Sequence, residues 1–142
     1  MRTCHEDLSA WAAAQATLIR QHRLAEADLD HLAKGLETMS RSVRRELVSR
    51  LAVLVAHLLK WSHQPDRRSK RWAATIKGQR LEIEGLLEES PSLTAGLTES
   101  LARADPQAVA WATAETGLAE TTFPPACPFR ADQVLAPAFL PE

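Results

Sequence analysis

The stretch from Arg41 to Ser62, RSVRRELVSRLAVLVAHLLKWS, constrains the fold more than any other part of the chain. It is the longest helical pattern in the sequence without Gly or Pro. Leu47, Leu51, Leu54 and Leu58 recur at steps of four, three and four, and Val48, Val55 and Leu59 fill the next row. At about 100° per residue these positions form one broad apolar stripe, which predicts a helix facing a core. Ser40 or Ser42 offers an N-cap oxygen, and Pro65 disfavours helical geometry at Gln64, where the helix is expected to end. Along one edge run Glu46, Arg50, Val53 and His57, with Trp61 beyond. Glu46 and Arg50, at i and i+4, can pair for about 0.3 kcal/mol. This edge reads either as the solvated flank of a bundle helix or as a half-buried polar seam lining a pocket.

The rest of the chain follows the same period. A first helix is expected over 8–22, with Leu8, Trp11, Gln15, Leu18 and His22 on one face. A second is expected over 25–39, where Leu29, Leu32, Leu36 and Met39 have the spacing of a bundle helix and Gly35 interrupts the interior at about 1 kcal/mol. A short turn at Ser40 to Ser42 would separate it from the central helix. A further helix is expected over 67–89, facing inward with Trp72, Ile76, Ile83 and Leu87. Its bases crowd the first half (Arg67, Arg68, Lys70, Arg71, Lys77, Arg80) and its acids the end (Glu82, Glu84, Glu88, Glu89). That order opposes the helix macrodipole and calls for an offsetting contact. Ser90-Pro91 restarts a short helix through Leu93, Leu97 and Leu101. Asp105-Pro106 reads as an N-cap and N1 for a last helix closed by Gly117.

From Thr121 the composition shifts. Five of the eight prolines and all three phenylalanines fall there. A flexible tail would be polar; this one is expected to wrap over the bundle, with one helical turn near Ala131 to Leu135, or else to dock on another chain. The chain has no strand-like alternation. It therefore reads as all-α: one domain, a bundle of about five helices over 8–120, and an apolar, proline-rich C-terminal segment over 121–142 wrapped across it.

A net charge of -1 exerts no global pull toward nucleic acid or membrane, and no apolar run approaches a membrane span of about 20 residues. Glu6 and Asp7 precede any apolar run, so MRTCHEDLSAW is not a secretory signal and a cytoplasmic setting is expected. Cys4 and Cys127 read as a reduced pair, the alternative being one disulfide in an oxidising compartment.

An ordered set of short motifs carries a resemblance. It comprises His57-Leu58-Leu59-Lys60-Trp61, Gln64-Pro65, Trp72 with Ile76 and Arg80, Ser90-Pro91-Ser92-Leu93, Glu115-Thr116-Gly117-Leu118, Phe123-Pro124, Cys127-Pro128 and Phe139-Leu140-Pro141. Over about 8–141 the chain resembles domain-of-unknown-function family number 29, small all-helical bacterial proteins. The resemblance implies the fold and a bacterial origin, and no activity. Where that pattern carries two adjacent carboxylates, an aliphatic residue and a third carboxylate, this chain has Lys34-Gly35-Leu36-Glu37. The family's aromatic position before Pro106 is Asp105.

Two constellations are candidates for function. The first is a polar cluster of Asp28, His31, Glu37, Glu46, Arg50 and His57. Asp28 and His31 have the acid-then-histidine spacing of bundle metal sites, but only once. Cys4-His5 with Cys127 does not make a zinc spacing. No catalytic residue, metal site or cofactor is therefore assigned. The second is a basic segment, Lys60, Arg67, Arg68, Lys70, Arg71 and Lys77, interleaved with Trp61 and Trp72. It could hold an anion, a partner or single-stranded nucleic acid, although both tryptophans are expected in the core. With no phosphate loop, catalytic acid pair or nucleophile elbow, the leading reading is a non-enzymatic interaction or self-association module with a protein partner or a second copy. Anion or nucleic-acid binding comes next, then a metal-dependent enzyme centred on His31, Glu37 and His57.

Overall fold

The structure, a computed structural model, describes residues 3–142. Among these, five α-helices and no strand are present: α1 (Leu8–Arg20), α2 (Leu29–His63), α3 (Lys70–Glu89), α4 (Leu97–Thr116) and α5 (Ala131–Leu135). The fold is all-α. The chain divides into two compact units, one ending at Ser42 and one beginning at Val43, with α2 running unbroken through the boundary.

The second unit holds the apolar core. Leu47, Leu51, Leu54, Leu58 and Leu59 of α2 are at most 1% exposed, so the stripe read from the sequence is the core face. Ile76 and Ile83 of α3 join them, together with Leu101, Ala104, Ala108 and Ala112 of α4, Phe123, and Val134 of α5. Each large side chain buried this way contributes about 1.5–3 kcal/mol of transfer free energy. The three alanines leave α4 little bulk on its buried face, which permits close helix packing.

Arg80 fastens the C-terminal segment. Its guanidinium, 7% exposed, donates to the carbonyls of Val134 (2.8 Å), Pro137 (3.3 Å) and Phe139 (2.7 Å). These are carbonyls that irregular, proline-rich backbone cannot satisfy by itself. Burial lowers the guanidinium below its ordinary value, and it remains charged. Phe129 and Phe139 meet edge to face, their centroids 5.9 Å apart.

The first unit is built differently. Trp11, Gln15 and Leu18 are its buried residues. Asp7 caps α1 by accepting from Ala10 N at 3.0 Å. At the other end of α1, Arg23 N reaches Leu18 O (2.9 Å) and His22 N reaches Ile19 O (3.0 Å). His22 takes the left-handed position of this C-cap at φ +58°, where glycine is the usual choice.

Several expectations are corrected. No turn separates 25–39 from 41–62, because Ser40-Arg41-Ser42 contains no residue that breaks a helix and neither serine acts as a cap. Leu29, Leu36 and Met39 do not face a core; they are 57%, 66% and 65% exposed. Leu8, placed on the inner face of the first helix, is 67% exposed, and that helix stops at Arg20 rather than His22. Asp105-Pro106 starts no helix, because α4 runs through Pro106. A proline there costs about 3 kcal/mol, offset by the burial of Leu101 and Ala104 before it and Ala108 and Ala112 after it. The helix expected from Arg67 starts at Lys70, capped by Ser69, whose hydroxyl accepts from Trp72 N at 3.1 Å. Trp61 and Trp72 are half-buried rather than core residues.

Candidate functional site

The six residues of the expected polar cluster fall into separate groups. Asp28 stands just before α2. Its Oδ1 accepts from His31 N at 3.3 Å, and both carboxylate oxygens meet His31 Nδ1, at 2.9 and 2.8 Å. Trp11 Nε1 donates to Oδ2 at 3.2 Å. Gln15, 1% exposed, fixes the same residue from the other side, its Oε1 accepting from Asp28 N at 2.7 Å. The hydrogen bond from His31 holds the Asp28 carboxyl below the usual carboxylate range, helped by Trp11. This network joins α1 to the start of α2. It also fixes Nδ1 of His31.

Cys4 and His5, in the turn before α1, come to the same place. One ligand atom from each of Cys4, His5 and His31 lies within 4.8 Å of the others. The His5 and His31 rings meet edge to face at 5.6 Å. Glu37 is exposed on α2 and does not join this group, nor does His57. The sequence reading weighed Cys4-His5 only with Cys127; their grouping with His31 was missed because two adjacent ligands and a third in another helix follow no recognisable spacing.

The other members lie in the second unit. Arg50 Nε donates to Glu46 at 3.2 Å, and Arg50 also reaches Gln79 (3.4 Å) and Glu82 (3.7 Å) on α3. This ties one of the acids at the end of α3 to α2, part of the contact that the reversed charge order of α3 called for. His57 accepts no partner side chain; its Nδ1 pairs with Val53 O at 2.8 Å. Burial pushes its imidazole below the ordinary histidine value, and nearby Lys60 adds to this. That favours the neutral ring.

The basic segment is partly consumed by the fold. Lys60, 5% exposed, pairs with Glu115 and sits 5.0 Å from the Trp72 ring centroid. Arg68 donates to Trp61 O at 2.8 Å and lies over the Trp61 ring. Arg67, Lys70, Arg71 and Lys77 remain exposed. A cation of the same chain thus lies over each of the two indole rings.

Clefts open along this unit. One, about 800 Å³, lies between α3 and the C-terminal strap, among Ile76, Leu81, Leu87, Pro137 and Leu140. Another, about 500 Å³, is bordered by Asp105, Glu120 and Phe123. Asp105 is 6% exposed, and its Oδ1 has no hydrogen-bond partner. Burial raises its carboxyl above the usual range, against a weaker opposing bond with Cys127. Burial likewise raises the Cys127 thiol, which packs beside the core. Both cysteines are free thiols.

Residues 4–140 match the model of a family described as Domain of unknown function DUF29. The chain belongs to the DUF29 family. The match covers nearly the whole length, including both units and the strap, and the family is of unknown function. No curated protein and no solved structure matches the chain. No helix of the described residues is long and apolar enough to cross a membrane. Membership in DUF29 therefore supplies no chemistry, and the reading of its sites rests on the side chains themselves.

Proposed function

We propose that this DUF29 chain is a non-enzymatic self-association module that pairs with a second copy of itself through the N-terminal half of α2. The observation that carries this reading is the exposed row Leu29, Leu36 and Met39, continued by half-buried Leu32 and Val43. These five residues step by three, four, three and four, the a/d spacing of a heptad seam. Every residue from 33 to 42 is exposed.

The flanks favour a second copy over a different partner. From Leu32 to Val43 the positions bordering such a seam are Ala33, Gly35, Ser40 and Ser42, all small and uncharged, and Asp28, beside Leu29, is already held by His31 and Trp11. Lys34, Glu37 and Arg41 lie off the seam. Two identical seams therefore meet without opposing like charges, as a two-fold interface requires. A Cβ added at Gly35 meets nothing within 4 Å, so none of the described residues uses the close approach that glycine allows there. Two heptads are short for a coiled coil, and the association is concentration-dependent in consequence. A bacterial, cytoplasmic setting belongs to the same reading, through the family resemblance and the polar start of the chain. The exposed bases Arg67, Lys70, Arg71 and Lys77 remain the place to look for an anion if the seam fails.

Sedimentation velocity over a concentration series tests the proposal. The chain is expected to shift from monomer toward dimer, and Leu36→Asp, at an exposed position, to remain monomeric with unchanged helicity. A wild-type chain that stays monomeric at its highest soluble concentration contradicts the reading, as does a Leu36→Asp variant that dimerises normally.

A further inference from the structure

The geometry points to a metal site in the first unit: Cys4 Sγ, a ring nitrogen of His5 and Nε2 of His31 binding one zinc-class divalent ion. This site is separate from the association seam, since His31 lies off the a/d row. The ligand set is a thiolate and two imidazoles, the borderline-soft combination that suits Zn(II) and excludes the hard oxygen-seeking ions.

Three observations converge. One ligand atom from each of Cys4, His5 and His31 already lies within 4.8 Å of the others. A tetrahedral ion with bonds of roughly 2.0–2.3 Å needs them about 3.5 Å apart, a contraction that side-chain rotation in the half-exposed turn around Cys4 can supply. Next, the turn is anchored rather than loose. Thr3 N donates to Glu6 Oε2 at 2.9 Å, and Asp7 N donates to Thr3 O at 3.2 Å, ahead of the capped start of α1.

The third observation is the outer layer. A ligating histidine characteristically donates its other N–H to a carboxylate, which fixes the tautomer and aims the free nitrogen. His31 Nδ1 has that partner in Asp28, at 2.8 Å. Asp28 is itself held by Trp11 at 3.2 Å and by buried Gln15 at 2.7 Å. A helix cap alone requires one oxygen on one backbone N–H. Here the carboxylate also takes the His31 ring and the indole, so the His31 ring is oriented from behind. On binding, Cys4 gives its thiol proton to solvent and its sulfur pair to the metal, so uptake weakens as pH falls. Three protein ligands leave a fourth position for water or an external ligand.

The full chain, stripped with chelator and kept reduced, should be titrated with Co(II) and then with Zn(II), at concentrations where sedimentation shows monomer. One equivalent of Co(II) is expected to bind with a thiolate-to-cobalt charge-transfer band and tetrahedral visible bands, both lost on adding Zn(II). Cys4→Ser should abolish the charge-transfer band. Asp28→Asn should keep the spectrum and lower affinity about 10–100-fold. Leu36→Asp should bind as wild type, which separates this test from that of self-association. Absence of a charge-transfer band, or equal Co(II) affinity in Cys4→Ser and His31→Gln variants of normal helicity, overturns the proposal.

Discussion

The two units of this chain solve the burial problem in opposite ways. From Val43 onward, sixteen buried apolar residues form one core across α2, α3, α4, Phe123 and α5. Before that boundary, Trp11 and Leu18 are the buried apolar side chains, beside a polar network centred on Asp28. The same unit leaves Leu8, Ile19, Leu24, Leu29, Leu36 and Met39 more than 40% exposed. A core of the first kind stands alone. A unit of the second kind would gain stability from the proposed association or metal, because binding to the folded form alone shifts the folding equilibrium. The contrast shows why one helix serves two purposes: α2 is a core element at its end and a presented surface at its beginning.

Truncation within the core gives the largest effect. Leu54→Ala is expected to cost about 3–4 kcal/mol in urea unfolding, whereas Leu36→Ala, on the same helix, should change the monomer by less than about 0.5 kcal/mol. Equal losses would dissolve the contrast. Arg80→Met should cost about 2–3 kcal/mol, since three carbonyls lose a charged donor, and should release the C-terminal strap to limited proteolysis. A strap that stays protected would show that Phe123 and Val134 hold it without the guanidinium.

Asp105 gives a smaller effect with a definite sign. Its folded carboxyl titrates above the ordinary value, so the fold binds its proton more tightly than the unfolded chain does. The stability it contributes is fully present below the ordinary carboxylate pKa of about 3.9 and is lost as pH rises through the folded value. Asp105→Asn should therefore stabilise the second unit by about 1 kcal/mol at pH 7, and the gain should vanish toward pH 4. A gain independent of pH would contradict a buried carboxylate whose Oδ1 has no partner. The smallest effect is Gly35→Ala. Removing a helix-interior glycine should stabilise the monomer by about 0.5–1 kcal/mol, yet weaken dimerisation if the seam closes over Gly35. Stabilisation with unchanged association would place Gly35 outside the contact.

How much the sequence disclosed follows the same divide. The core half of α2 was legible because its leucines keep a strict period and are buried on that face. The outer half has the same period, which records that a face is apolar and is silent on what covers it; Leu29, Leu36 and Met39 were therefore assigned to a core that they do not enter. Junctions were hidden where local chemistry and packing disagree. Ser40 and Ser42 resemble caps but continue a helix, and Asp105-Pro106 resembles a helix start but lies inside α4. The Asp28–His31 pair was visible at its spacing of three. Its meeting with Cys4 and His5 was not, since the turn that brings them there precedes α1 and no spacing along the chain records it. Arg80 read as one base in a patch; only the folded strap shows three carbonyls converging on it.

Hydrogen exchange along α2, followed by mass spectrometry at low concentration and without metal, tests the difference between the units most directly. Amides around Leu36 should exchange through an opening of much lower free energy than those around Leu54, with protection of the first region rising when metal is added or the concentration is increased. Uniform protection along α2, with all amides opening only with the whole chain, would contradict the account.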